Sequence, residues 1–379
     1  MIAGGVCGML LADFGAEVIK VEQPGVGDPL RRWTTDGQDF WWRVYARNKR
    51  FVTLDLKSGD GRALLLRLVP RVDVVIESFV PGTLERLGLG WDVLEPLRPA
   101  LILARISGWG QTGSDRERPG FGTLIEAASG FAAMNGEPDG APIVPAFPLA
   151  DMTAALYAAH AITMALYHRD ARGGRGQVID VSLFESLFSL LGGQRAEHAV
   201  TGRVRTRDGS RSGNSSPRGC YRTADDHWIA ISGSTPRMAE RLFRAYGLEG
   251  LLADARFATN ETRVRHAPEV DRVVSEAIAA RTIAENLAII VAHELTAVPV
   301  QTVEDIEHDA HWMARGLLVD VPWNDHLVRM HAVVPRLSAT PGRIDHAGGA
   351  LGQDNDAFFG EELGLSADDL AGLRARRTI

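Results

Sequence analysis

The residue whose type and setting could do chemistry is a lone carboxylate, Asp151, in the stretch FPLADMTAALYAAH at residues 147–160. Phe147-Pro148 closes a loop ahead of it, small residues flank it, and an Ala-rich apolar run follows at once. Asp just before such a run is a helix N-cap signal. A cap occupies one carboxylate oxygen and leaves the other available. Helix amides pointing at the group should keep it ionised near neutral pH. An ionised carboxylate among small residues, open on one side, is what nucleophilic catalysis by a carboxylate requires. The local pattern alone favours a plain helix cap, and both readings stay open.

Fixed positive charges and an aromatic face form a second constellation. Lys57 follows the strand Phe51–Leu56, Ser78-Phe79-Val80 follows the strand Val72–Glu77, and Arg86 lies on the helix that opens after Gly82. Phosphates and an adenine use such groups: Lys or Arg on phosphate, an aromatic or aliphatic face on the base. Each cation by itself reads as a solvated surface charge. No Gly-rich dinucleotide fingerprint or P-loop occurs, so NAD and ATP are not favoured. His308 and His311 are spaced like a helical pair without a carboxylate to complete a metal site, so no metal is expected. His160 reads as packed, Trp41-Trp42 as core or interface, and Asp73, Glu77 and Glu126 as ion-pair partners on regular elements. Two cysteines, Cys7 and Cys220, lie far apart with no His nearby, which suits a reducing cytosol.

Those residues need a scaffold, and 379 residues suffice for one large domain and a smaller one. A net charge of -7 offers no general attraction for nucleic acid. No run reads as apolar and long enough to cross a membrane. Strands at Glu17–Glu22, Phe51–Leu56, Val72–Glu77, Leu101–Ile106 and Gln177–Val181 alternate with helical segments. This βαβα rhythm predicts an α/β fold with a doubly wound, mostly parallel, Rossmann-like sheet and ligands at the strand carboxyl ends. Helices are expected at Ala3–Phe14, Gly61–Leu68, Thr123–Met134, from Asp151 to Arg169, and at Phe184–His198. A helix with no strand before it predicts that the first β-strand of the unit is missing, through a misassigned start or a truncation. Residues 1–200 form the large domain, the basic, Ser- and Gly-rich 201–218 a linker, 219–307 a small α+β domain, and 308–379 a return to the large one.

The ordered motifs identify a family. LLADFGAEVIKVE (10–22), RNKRFVTLDLK (47–57), DVVIESFVPGTLERLGLGWDVL (73–94), ISGWGQTG (106–113), PLADMTAALYAAHAITMAL (148–166) and GRGQVIDVSLFES (174–186) resemble the family III CoA-transferases, also called the CaiB/BaiF family. The likeness runs from the first residues to about Gln194 and returns weakly near 352–366. It implies that Asp151 is the nucleophile and that coenzyme A, as an acyl-CoA substrate, is the one cofactor. Lys57 and Arg86 match positions at the CoA phosphates or adenosine, and Ser78, Phe79 and Val80 match the loop along CoA. Gln23, Leu54, Gly120, Phe121, Gly122 and Thr123 match further contact positions. A Gly-rich loop of the small domain gates the substrate in the family, which points here to Gly213, Asn214 or Gly233. Related racemases of this fold carry a Gly-His-Asp segment where this chain reads Gly120-Phe121-Gly122. Without that His the acid/base pair for α-proton exchange is incomplete. The expectation is therefore a cytoplasmic CoA-transferase acting on an acyl-CoA and a small acid, dicarboxylic acids among the candidates, as an interlocked homodimer. A racemase and a non-catalytic CoA-binding protein are the alternatives.

Overall fold

The computed structural model describes residues 1–324 and 326–379. The chain forms two compact units, one of residues 1–131, 144–197 and 314–379, the other of residues 132–143 and 198–313. The first unit begins with helix α1 (Ile2–Ala12), β1 (Val18–Glu22), α2 (Phe40–Tyr45), β2 (Lys49–Thr53), α3 (Gly59–Leu68) and β3 (Val74–Glu77). It continues through α4 (Thr83–Arg86), α5 (Trp91–Leu97), β4 (Ile102–Ser107) and α6 (Gly122–Ala128). After α7 (Phe131–Met134) come α8 (Leu149–Arg172), β5 (Gln177–Ser182) and α9 (Leu183–Ser189). The second unit holds an antiparallel sheet in which β6 (Arg218–Arg222) and β8 (Ala297–Pro299) flank β7 (Trp228–Ser232), covered by helices such as Ala267–Ala279. The hairpin of β9 (Leu318–Trp323) and β10 (His326–His331) and two closing helices, Asn355–Leu363 and Ala367–Ala375, return to the first unit.

Five strands of the first unit are parallel, as the βαβα rhythm predicts, but they do not make one sheet. β1 pairs with β2, and β4 lies between β3 and β5 in a separate three-stranded sheet. α1 packs between these parts, touching both β1 and β3. β4 is buried along its whole length, the continuous apolar habit of a strand covered on both faces. Two predicted helices are broken by glycines in the left-handed region. Gly130, at φ 94°, separates α6 from α7, and Gly192, at φ 62°, ends the helical run after α9.

The expectation about membrane-length segments is corrected. α8 runs 24 residues, and its apolar 18-residue stretch has a mean hydropathy of 1.3, long and apolar enough to cross a membrane by length and composition. Ala150, Ala154, Ala155, Ala158 and Ile162 of this helix are fully buried and share one core with Ile2, Ala3, Val6 and Cys7 of α1. These small side chains let the two helix backbones approach closely, which is what sets the position of the N-terminus of α1.

A buried ion pair locks the far end of α1. Asp13, its C-cap, accepts from Arg47 Nε at 3.0 Å and Nη2 at 2.6 Å, with side chains only 2% and 1% exposed. Asn48 donates to the same carboxylate at 2.8 Å, and Arg47 Nη1 donates to the His331 carbonyl at 3.0 Å. Removing one partner strands the other without water. Arg47→Met should therefore lower stability by about 3–5 kcal/mol in denaturant unfolding; a loss under about 1 kcal/mol would contradict this role.

Candidate active site

Asp151 is the third residue of α8, not its cap. The N-cap is Pro148, which has no side-chain acceptor. The cap expectation fails because the helix begins three residues earlier than the apolar run suggests. The Asp151 carboxylate instead serves a different helix: its Oδ1 accepts the Ala3 N–H, in the first turn of α1, at 3.3 Å. A carboxylate at a helix N-terminus satisfies an orphan amide and meets the positive end of the helix dipole.

α6 supplies the wall on the other side. A Cβ placed on Gly122 would stand 2.5 Å from Asp151 Oδ2, so the carboxylate rests directly on the Gly122 backbone. Glycine is needed there for space and not for conformation. The preceding loop is equally tight, since a Cβ on Gly108 would meet the Gly120 Cα at 2.5 Å. Phe121, between these two glycines, is 66% exposed, and Thr123 is exposed as well.

The strand-end loop adjoins the same helix start. A Cβ on Gly4 would lie 2.6 Å from Ser78 Oγ, so the first turn of α1 joins Asp151 on one side to Ser78 on the other. The loop is held by a buried network. Glu77 Oε2 accepts the Phe79 N–H at 2.7 Å, and Glu77 Oε1 accepts Arg105 Nε at 2.7 Å. Arg105 also pairs with Glu85 at 2.7 Å. Burial raises the Glu77 pKa and Arg105 pulls against that rise. Phe79 and Val80 are left 40% and 52% exposed, apolar faces presented to solvent.

The other expected contact residues are more scattered. Gln23 and Leu54 leave β1 and β2 side by side, with the Leu54 N–H donating to the Glu22 carbonyl at 2.8 Å. Leu54 is 2% exposed and its side chain belongs to a core cluster, so only its backbone faces outward chemistry. Lys57 is exposed on the turn into α3, and Arg86 is exposed on α4 with Nη2 donating to Thr83 Oγ1 at 2.8 Å. Gly213, Asn214 and Gly233 lie in the second unit. Gly213 and Asn214 are exposed, with Arg205 donating to Asn214 Oδ1 at 3.1 Å. Gly233 is buried, its N–H donating to the Pro217 carbonyl at 2.7 Å.

Sequence reasoning took Glu126 for an ion-pair partner, and the structure gives it another setting. It is 2% exposed, and its Oε1 accepts the Ala150 N–H at 3.2 Å. Its spacing from Gly122, four residues on one short helix, was the signal that could have placed it on the Asp151 side. Asp73 and Glu77 do carry ion pairs, with Arg98 and Arg105. Cys7 lies on the buried face of α1 and burial pushes its thiol up to about 12, so it is no thiolate at neutral pH. No group of three or more His, Cys, Asp or Glu side chains among the described residues could hold a metal ion.

A carboxylate on small residues at a helix start can attack an acyl carbon, and comparison with known proteins gives the chain's family. The profile of CoA-transferase family III matches residues 1–355, and the chain belongs to that family. It is 43% identical over 382 residues to a succinyl-CoA–D-citramalate CoA-transferase of Chloroflexus aurantiacus, covering 100% of this chain and 95% of that one. It is 34% identical to a succinate–glutarate CoA-transferase of Agrobacterium fabrum, covering 95% and 92% of the two chains. The crystal structure of a CaiB/BaiF family protein from Brucella suis superposes with a TM-score of 0.83 at 32% identity, covering 95% and 96%. The protein is thus a CoA-transferase, moving CoA from an acyl-CoA thioester to a free carboxylic acid.

The site's electrostatics run against the helix-dipole expectation. Burial raises the Asp151 pKa above its ordinary 3.8, and the Ala3 N–H offsets only part of that. A carboxyl raised in the folded state contributes stability that is fully present below its unfolded pKa and lost as pH rises through the folded one. Asp151→Asn keeps the acceptor for Ala3 and removes the buried charge. Its thermal midpoint at pH 7 should equal or exceed that of the wild type, with the gap closing near pH 4. A clearly lower midpoint at pH 7 would contradict this account.

Proposed function

We propose that Asp151 is the nucleophile of a CoA transfer from succinyl-CoA to a small dicarboxylic acid. The observation that carries the reading is the seat of its carboxylate, with Oδ1 on the Ala3 N–H and Oδ2 over the bare Gly122 backbone. One Asp151 oxygen attacks the thioester carbonyl. The C–S bond breaks, CoA thiolate leaves with the electron pair, and a mixed anhydride remains. The thiolate then attacks the aspartyl carbonyl, releasing the donor acid and forming an aspartyl-CoA thioester. The acceptor carboxylate attacks that thioester and expels CoA thiolate, leaving a second mixed anhydride; the thiolate attacks its acceptor carbonyl, the anhydride C–O bond breaks, and the new acyl-CoA and free Asp151 carboxylate result. Protons and electrons balance without a further reagent. The raised pKa suits the role, since a desolvated carboxylate is the better nucleophile once ionised.

CoA is placed along the strand ends, with Lys57 and Arg86 on phosphates or adenosine and the Ser78-Phe79-Val80 loop beneath it. Gln23, the Leu54 backbone and Gly120 to Thr123 complete the contacts, and Gly213-Asn214 or Gly233 gates the acyl site. The first unit, with its parallel strands in two sheets, is the CoA-binding body, and the second unit is the small domain. Named substrates of the relatives support the acid class: D-citramalate and glutarate above, and L-malate for a Chloroflexus aurantiacus relative 38% identical over the whole chain. The protein acts as a cytoplasmic homodimer. Leu156, Met164 and Tyr167 support self-association, a stripe on α8 left 60%, 55% and 64% exposed.

Incubation with succinyl-CoA and citramalate, malate or glutarate, followed by mass spectrometry, should show a new thioester with at least one of these acids. Hydroxylamine should trap Asp151 as a hydroxamate. Asp151→Asn should lose both signals, exchange falling at least about 1000-fold; a fully active variant sinks the assignment. Gly122→Ala should displace the carboxylate and cut turnover about 100-fold while the thermal midpoint barely changes. Wild-type turnover in that variant would show that Oδ2 does not need the Gly122 surface.

A further inference from the structure

One carboxyl in the site has no part in that chemistry. Glu126 is as buried as a core residue, and no cationic side chain pairs with it among the described residues. Burying an unpaired carboxyl is costly unless its oxygens are hydrogen-bonded. Its pKa is raised, by burial first and by the Asp151 charge among smaller causes, while the Ala150 and Leu149 amides oppose the rise. Both amides belong to the first turn of α8.

That turn has a shortage that Glu126 meets. Its N-cap is a proline, so neither a capping side chain nor a cap N–H is available. The Met152 N–H makes the first helical bond, to Pro148, and the Leu149 N–H donates to the Phe147 carbonyl. The Ala150 N–H goes to Glu126. With the Ala150 N–H capped from α6, the Asp151 carboxylate takes its own backbone N–H and also reaches the Ala3 N–H of α1. α6 controls both halves of this arrangement from one face. A Cβ on Gly122 would lie 2.5 Å from Asp151 Oδ2 and 3.8 Å from Glu126 Oε1.

We infer that Glu126 is a positioning residue: by taking the Ala150 N–H of α8 it leaves Asp151 Oδ1 for the Ala3 N–H of α1 and so aims the Asp151 carboxylate at the reacting carbon. The inference rests on the reading of Asp151 as the nucleophile. What matters is an acceptor oxygen at the reach of Glu126, not its charge.

The test compares Glu126→Gln, Glu126→Asp and Glu126→Ala with Asp151→Asn as control, using succinyl-CoA and whichever acid the wild type accepts. Thermal midpoints, kcat, KM for succinyl-CoA and the rate of hydroxylamine-trapped adduct are measured. Glu126→Gln keeps the acceptor and should hold kcat within about threefold of wild type. Glu126→Ala should lose about 10- to 100-fold in kcat and in adduct formation, with KM within about twofold. Glu126→Asp retracts the acceptor by one methylene and should fall between them, which keeps the test usable if the alanine variant does not fold. Wild-type kcat in the Ala or Asp variants overturns the inference. So does a Gln variant as slow as the Ala variant, or an effect confined to KM. An active Asp151→Asn defeats the nucleophile reading itself, whereas an inactive Asp151→Asn beside an unimpaired Glu126→Ala defeats only this inference.

Discussion

Close packing of α1 against α8 is the constraint on which the site depends. Ala3 on one helix and Ala150, Ala154, Ala155 and Ala158 on the other leave no bulk between the backbones. That approach brings the Ala3 N–H to the Asp151 carboxylate across 148 positions of sequence. A larger side chain at this seam would push the helices apart by more than a hydrogen bond tolerates. Gly4 beside Ser78 and Gly122 beneath Oδ2 are further close approaches, where an added Cβ would force the facing side chain to move.

Two carboxyls and two helix starts are exchanged in consequence. Asp151, on α8, serves α1, and Glu126, on α6, serves α8. Helix dipoles alone would lower both pKa values, yet both are raised, because desolvation is the largest influence on each. A surface N-cap is stabilising and chemically quiet. A buried one with no cationic side chain paired to it is held at a cost, and that is the setting in which a carboxylate gains nucleophilicity.

The surrounding scaffold treats its buried charges differently. Asp13 has Arg47, and Glu77 has Arg105, which also reaches Glu85. These pairs sit at the ends of elements whose positions matter: the end of α1, and the loop after β3 that carries Ser78 and Phe79. Satisfied pairs make the frame rigid, and the unpaired carboxyls are confined to the place where chemistry is proposed.

The parallel strands and the carboxylate at the head of an apolar helix were legible in the chain because they rest on local signals: apolar runs, turn residues and an Asp ahead of an Ala-rich segment. Motif order carried the family. Short helices such as Phe40–Tyr45 and Trp91–Leu97 were not legible, since a run of six or seven residues has too little periodicity to stand out. The partition of the strands into two sheets was equally hidden, because pairing depends on neighbours distant in sequence. The sequence by itself determined that Asp151 stands at the head of a long apolar helix with small residues around it. Only the tertiary structure decided which helix its carboxylate would cap, that burial would raise its pKa, and that Glu126 would take the Ala150 N–H. A hydrogen bond between residues 3 and 151 exists only once the core has brought two helices together.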